Sequence, residues 1–240
     1  MNASRLIVLS FLTMFTSACT ILDKDLYPSQ NGKIILSFDD GPSARVSNEL
    51  LDVLERTETP AAFCYIGKNI EEHPEIVTRA INAGHLMVLH SYEHTLTSLT
   101  STKKLRQETI ACIELLESLS TDTDFTARYF RPPLGIKTPA VKKITKEFDL
   151  EYAYVTLFVY DAATGPEDAE KVMSKIKDKV LKNNGGAIVL HEMRYKANED
   201  KYAVDKSWLP AAVEEFIHWA KAQGFEFVLY PQESREANPQ

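Results

Sequence analysis

The sequence predicts an α/β fold on a parallel sheet, either closed as a barrel or open and doubly wound. Three observations carry this. Strand-like runs alternate with helical ones along most of the chain. The polar residues best suited to chemistry stand at the carboxyl ends of the strand-like runs. The length, 240 residues, is enough for one α/β barrel.

The N-terminus is a separate element. One basic residue, Arg5, precedes an apolar run from Leu6 to Phe15, and the small residues Ser17-Ala18 precede Cys19. That pattern predicts a secretory signal over residues 1–18, because the run is too short to span a bilayer. Cys19 directly after the small residues resembles a bacterial lipobox, although Thr16 stands where leucine is usual. The resemblance implies cleavage before Cys19 and a lipid on it. An ordinary cleaved signal is the alternative. Either way the mature chain is expected outside the cytoplasm, on the outer or periplasmic face of the cell envelope if lipid-anchored and otherwise secreted. Residues 19–32 are expected to be a polar tether, 33–231 one catalytic domain, and 232–240 a polar tail.

Within the domain the predicted strands are Lys33–Phe38, Ala61–Ile66, Leu86–His90, Arg128–Arg131, Tyr152–Leu157, Ala187–His191 and Phe225–Tyr230. Their apolar runs suit strands covered on both faces. About six helices are expected between them. Leu105, Thr109, Cys112, Leu116 and Leu119 step by three and four, as do Leu209, Val213, Phe216 and Ala220. Gly84 and Gly224 stand where helices should stop. Alternation of this kind places the strands parallel.

The net charge of −7 argues against a nucleic-acid partner, which would call for a basic patch. Cys64 and Cys112 remain after Cys19. An oxidising compartment would permit a disulfide, but the residues around both read as buried apolar positions.

Polar groups follow five strands: Asp39-Asp40 the first, His90 to His94 the third, Arg131 the fourth, Asp161 the fifth and His191-Glu192 the sixth. In parallel α/β folds those ends converge on one face, where sites are built. His90 and His94, four apart, aim two imidazoles at one point, and Asp39 or Asp40 is the natural third metal ligand. Two nitrogens and a carboxylate suit zinc, with cobalt or nickel also possible. Neighbours on an extended chain point opposite ways. One aspartate would therefore hold the metal while the other serves as general base, with His191 as general acid. Glu93 and Glu192 read as solvated charges.

Ser37-Phe38-Asp39-Asp40-Gly41-Pro42, His90-Ser91-Tyr92-Glu93-His94, Phe130-Arg131-Pro132-Pro133-Leu134-Gly135 and Ile188 to Glu192 resemble, in order, the motifs of the polysaccharide deacetylases, the NodB-homology group or carbohydrate esterase family four. The resemblance covers roughly Lys33 to Pro231. It implies a distorted (β/α)7 barrel and metal-dependent removal of N-acetyl groups from N-acetylglucosamine-type polysaccharides. It further implies Asp39 as base, Asp40, His90 and His94 as metal ligands, and Arg131 as partner of the base. A backbone N–H at Leu134 would face the oxyanion, Asp161 would orient the acid, and His191 would be that acid. Val189 stands at a position that lines the family's acetyl pocket. So does Ala162, where the family typically has tryptophan. Tyr160 or Trp208 could fill that space; Trp208 reads equally as a sugar-stacking ring or as a core residue opening the last helix. The competing functions are an amidase acting on a small non-carbohydrate amide and a carbohydrate-binding barrel without activity. Peptidoglycan, chitin-like chains and biofilm poly-N-acetylglucosamine all fit as polymer, and the sequence leaves the oligomeric state open.

Overall fold

Strand β1 (Lys33–Asp39) runs through the middle of the sheet. The computed structural model describes residues 31–123, 125–194 and 200–231. The expected signal, Cys19, nearly all of the tether and the polar tail lie outside the described residues.

The other strands are β2 (Ala62–Tyr65), β3 (Leu86–Leu89), β4 (Tyr129–Phe130), β5 (Glu151–Tyr152), β6 (Gly185–His191) and β7 (Glu226–Phe227). All pair parallel, in the order β5-β4-β3-β2-β1-β6. β1 divides one of its edges. Ser37, Phe38 and Asp39 pair with β2, whereas Lys33 and Ile34 pair with β7. Its other edge pairs with all of β6, which sets Asp39 opposite His191.

The fifth strand departs from expectation. Instead of running from Tyr152 to Leu157, it stops after Tyr152. The chain then crosses over, and the Thr156 and Leu157 N–H groups donate to the Ala187 carbonyl at 2.9 and 3.0 Å. Leu157 forms a lone parallel bridge with Ile188. One segment thus touches β4 at its start and β6 at its end, which closes the sheet into a distorted (β/α)7 barrel.

Alternation along the strands sorts the core into two layers. Ile35, Ala62, Cys64, Val88, Tyr129 and Ala187 fill the barrel. Leu36, Phe38, Phe63, Leu89 and Leu190 face outward against the helices. Each large apolar side chain so buried contributes about 1.5–3 kcal/mol.

The helices are α1 (Ser47–Arg56), α2 (Gly67–Glu72), α3 (Pro74–Asn82), α4 (Thr102–Leu119), α5 (Pro139–Glu147), α6 (Ala169–Asn183) and α7 (Leu209–Ala222). The extra one arises at Pro74, which cannot continue α2 and instead opens α3. The spacing on α4 and α7 holds: Leu105, Thr109, Cys112 and Leu116 are buried, as are Leu209, Val213, Phe216 and Ala220. Gly84 and Gly224 take φ +78° and +86°, which ends α3 and α7 in the left-handed turn that glycine tolerates. Cys64 and Cys112 are free thiols in separate clusters. Among the described residues no helix is long and apolar enough to cross a membrane.

Candidate active site

The carboxyl ends of β1, β3, β4 and β6 meet at one mouth. On one side stand the two aspartates. Asp39 ends β1, and its Oδ1 is paired with Arg131 Nη1. Arg131 is buried and spends its other donors close by: Nε on the Ala153 carbonyl at 3.0 Å, and Nη2 on Ser37 Oγ at 3.1 Å and the Tyr230 hydroxyl at 2.7 Å. The Tyr230 hydroxyl in turn donates a hydrogen bond to the Tyr154 carbonyl at 2.6 Å. Burial works against the Arg131 charge, but Asp39 beside it more than offsets this and holds the guanidinium charged. Asp39 is thereby fixed with one oxygen held and the other, Oδ2, 3.9 Å from His90 Nε2.

Asp40 leaves the strand at φ +69°. The expectation that the two aspartates point apart holds only while the chain is extended. The left-handed turn swings the second carboxylate back to the same mouth. Asn69 Nδ2 secures the turn by donating to the Asp40 carbonyl at 2.8 Å. Gly41 follows, where a Cβ would overlap Tyr65 and Glu192.

Asp40 Oδ1 lies 3.4 Å from His90 Nε2 and 3.2 Å from His94 Nε2. One ligand atom from each of the three residues falls within 4.8 Å of the others. His90 Nδ1 lies 2.7 Å from the Arg131 carbonyl oxygen, which can only accept. Nδ1 therefore carries a proton, and Nε2 is the ring nitrogen turned towards Asp40. A positive charge between these atoms, either a ring proton or a cation shared by all three residues, would favour so close an approach. Burial would raise the Asp40 carboxyl; His90 and His94 outweigh it and hold it well below the usual carboxylate range. Two imidazole nitrogens and one carboxylate oxygen are a fitting donor set for a divalent transition metal.

The opposite side holds the second dyad. His191 Nδ1 donates to Asp161 Oδ1 at 2.6 Å, and the His191 backbone N–H donates to Oδ2 at 2.9 Å. Burial would lower the proton affinity of His191, but Asp161 outweighs it and the imidazole is pushed up to about 9. Lys206, from the stretch before α7, also contacts Asp161.

Asp39, Asp40, His90, His94, Arg131, Asp161 and His191 thus come together at this mouth. Leu134 sits in a tight turn over Pro133–Gly135 at φ +55°, with its side chain exposed. Val189 is buried against Val155, two residues before His191 on the same face of β6. Trp208 is a core residue rather than a sugar platform: it is 9% exposed, and its indole N–H donates to the Thr164 carbonyl at 3.1 Å. Tyr160 is 63% exposed, and Ala162 is buried.

Glu192 corrects the expectation of a solvated charge. It is 1% exposed and accepts from Tyr65 Oη at 2.9 Å, from the Ser43 N–H at 3.2 Å and from Ser47 Oγ. Burial pushes its carboxyl up to about 7 against those three donors. Glu93, as expected, is a surface charge, paired with Lys68 and Lys104 at 3.0 and 2.9 Å. Sequence reasoning also missed Ser37, Tyr230 and Lys206. Ser37 was findable, being two residues before Asp39 on the same strand face. The other two reach the site from remote segments with no motif around them.

The chain matches a family model described as polysaccharide deacetylase over residues 27–153, just over half its length. It is 28% identical over 220 residues to a peptidoglycan-N-acetylglucosamine deacetylase of Bacillus cereus, covering 87% of this chain and 95% of that one. It is 30% identical to chitin deacetylase 2 of Saccharomyces cerevisiae, covering 78% of this chain but 58% of the yeast protein. A second Bacillus cereus deacetylase of the same description is 32% identical over 108 residues, and the match spans 38% of that protein. A crystal structure of a peptidoglycan N-acetylglucosamine deacetylase superposes with TM-score 0.65 at 25% identity, over 85% of this chain and 88% of that one. A carbohydrate esterase family four pseudoenzyme from Bacillus anthracis superposes with TM-score 0.64 at 17% identity, over 83% and 64%. That second likeness shows the fold alone. With the ordered motifs now seen to converge at one mouth, the chain belongs to the polysaccharide deacetylase family.

Proposed function

We propose that the protein is a metal-dependent hydrolase that removes N-acetyl groups from an N-acetylglucosamine-containing polysaccharide of the cell wall or extracellular matrix. The observation that carries this is the pairing of two separately held proton-transfer groups across one mouth. Asp39, fixed by Arg131, stands on one side, and His191, fixed by Asp161, on the other. A fold shared with a pseudoenzyme does not by itself carry activity; these residues do.

Asp40, His90 and His94 would hold the metal, with zinc the first expectation and cobalt or nickel the alternatives. When bound there, a divalent cation polarises the amide carbonyl and makes water more acidic. Asp39 then takes a proton from the attacking water, and Arg131 keeps that carboxylate in place beforehand. Leu134 follows Arg131 by three residues in a left-handed turn, and its backbone N–H would stabilise the oxyanion. His191 gives its Nε2 proton to the departing nitrogen as the carbon–nitrogen bond breaks. The water oxygen leaves in acetate, and the sugar keeps a free amine. Val189 would form part of the apolar wall for the methyl group.

Peptidoglycan is the first polymer to test, on the strength of the Bacillus cereus relative. Export rests on residues 1–18 and lipid anchoring on Cys19. Acetate release should be measured on peptidoglycan, chitooligosaccharides and poly-N-acetylglucosamine, with chelator and metal add-back. Activity that survives chelation would remove the metal mechanism. Activity only on small non-carbohydrate amides would favour the amidase reading, for which Ala162 in place of the family's usual tryptophan speaks. Cys19→Ser should move the protein from the membrane fraction to the soluble fraction; unchanged fractionation would remove the lipid anchor.

A further inference from the structure

Lys206 is 4% exposed. Its Nζ donates to the Asp161 carbonyl at 2.7 Å and lies 3.2 Å from Asp161 Oδ2, with the ring centroid of Trp208 5.0 Å away. Burying an ammonium costs far more than burying an apolar side chain of equal length, and immobilising a lysine adds further entropy cost. Packing alone therefore does not explain a lysine here. The carboxylate it touches is the one that orients His191. Oδ1 is taken by the imidazole, and Oδ2 is shared by the His191 backbone N–H and Lys206.

The charges around His191 show what the lysine adds. Asp161 contacts the ring, and Asp40 and Asp39 at the end of β1 also favour its protonated form. Arg131 answers Asp39. Lys206 answers Asp161 and also faces Asp40. Without Lys206, the Asp161 charge would fall on the imidazole alone. An acid that binds its proton too tightly delivers it poorly near neutral pH.

We propose that Lys206 is a positioning residue for proton delivery: its ammonium takes up part of the Asp161 charge, fixes that carboxylate against the His191 ring and makes the ring a readier donor to the leaving amine. This rests on the reading of His191 as the acid of an amide hydrolase. Burial lowers the proton affinity of Lys206 itself, while the Asp161 oxygens at 2.7 and 3.2 Å support its charged form.

The test is the titration of the His191 ring by NMR in the full chain, wild type and Lys206→Met, alongside the pH dependence of kcat for acetate release. In Lys206→Met the imidazole titration should move up by about one pH unit. The alkaline limb of the kcat profile should follow, and kcat at neutral pH should fall more than KM changes. Lys206→Arg, which keeps the charge, should titrate as wild type. Should Lys206→Met fail to fold, Lys206→Gln carries the same expectation. A folded neutral variant whose His191 titrates as wild type would overturn the proposal, as would failure of both neutral variants to fold. If wild type released no acetate from any substrate but the titration still shifted, the hydrolase reading would fall while the electrostatic link stood.

Discussion

The two sides of the mouth are built differently. Asp39, Asp40, His90, His94 and Arg131 stand at the ends of β1, β3 and β4, tied to the sheet through the Ala153 and Arg131 carbonyls, Ser37 and Tyr230. His191 ends β6, but Asp161 lies beyond the broken β5, and its second cation comes from a stretch before α7. The two sides are joined where Asp39 faces His191 and the Glu192 N–H donates to the Asp39 carbonyl at 3.1 Å. The family-model match to residues 27–153 spans the first side and stops before Asp161 and His191. The difference teaches that base and metal positions belong to the sheet. Acid strength is set by loops that lean on one another, which leaves room for one fold to vary it.

The largest effect should come from breaking either side. Asp39→Asn and His191→Ala should each lower kcat by about 10²- to 10⁴-fold on an N-acetyl sugar. They should part on an aryl acetate, whose phenolate leaves without a proton. There His191→Ala should recover most of its loss and Asp39→Asn none. Equal recovery, or none in either, would mean that the two groups do not divide base and acid work.

A sharper cut lies within the first side. Asp40→Asn should weaken metal binding, read by metal content after dialysis, whereas Asp39→Asn should keep its metal and lose turnover. Matching metal loss in both would put the two aspartates in one role. Arg131→Met tests how firmly the sheet holds that side. It leaves the buried Asp39 carboxylate without its partner, and the expected loss is about 3–5 kcal/mol in denaturant unfolding. An unfolding midpoint close to wild type would show that Asp39 is held by something else.

How far each side was legible in the sequence follows from the same contrast. Strand periodicity and strand-end placement were enough to collect Asp39, Asp40, His90, His94 and Arg131, because consecutive positions on a strand have fixed directions. The strand limits failed at Tyr152–Leu157, where barrel closure overrides an apolar run that reads as continuous. Asp161 and His191 were collected by the same strand-end placement, but the role of Asp161 in orienting His191 came only through the resemblance. Lys206 was not reached at all, since a lysine in a polar loop looks solvated until the loop is folded onto Asp161. Glu192 was misread for a similar reason. Its partners Ser43, Ser47 and Tyr65 lie about 130–150 positions away in sequence, and no local pattern announces them.

Glu192 also gives the smallest effect and the test of the joint between the sides. It follows the acid histidine on β6, yet its hydrogen-bond partners all lie around the turn that carries Asp40. Its folded-state carboxyl, pushed up to about 7 from an ordinary 4.5, binds a proton more tightly than the unfolded chain does. Between pH 4.5 and 7 the folded state therefore holds more protons, and stability must fall as pH rises through that window. His191 contributes its own fall only later, between 6.5 and about 9, because its stabilisation is complete below the lower value and lost through the upper one. Glu192→Gln keeps the shape of the protonated acid and removes the ionisation. In chelator throughout, to keep metal binding out of the comparison, the urea midpoint of wild type should drop between pH 5 and 7. The variant should show a shallower drop, by on the order of 1 kcal/mol. The two proteins should then fall in parallel above pH 7, where His191 governs both. Identical slopes below pH 7 would show that Glu192 ionises without strain and that the turn carrying Asp40 does not depend on its proton.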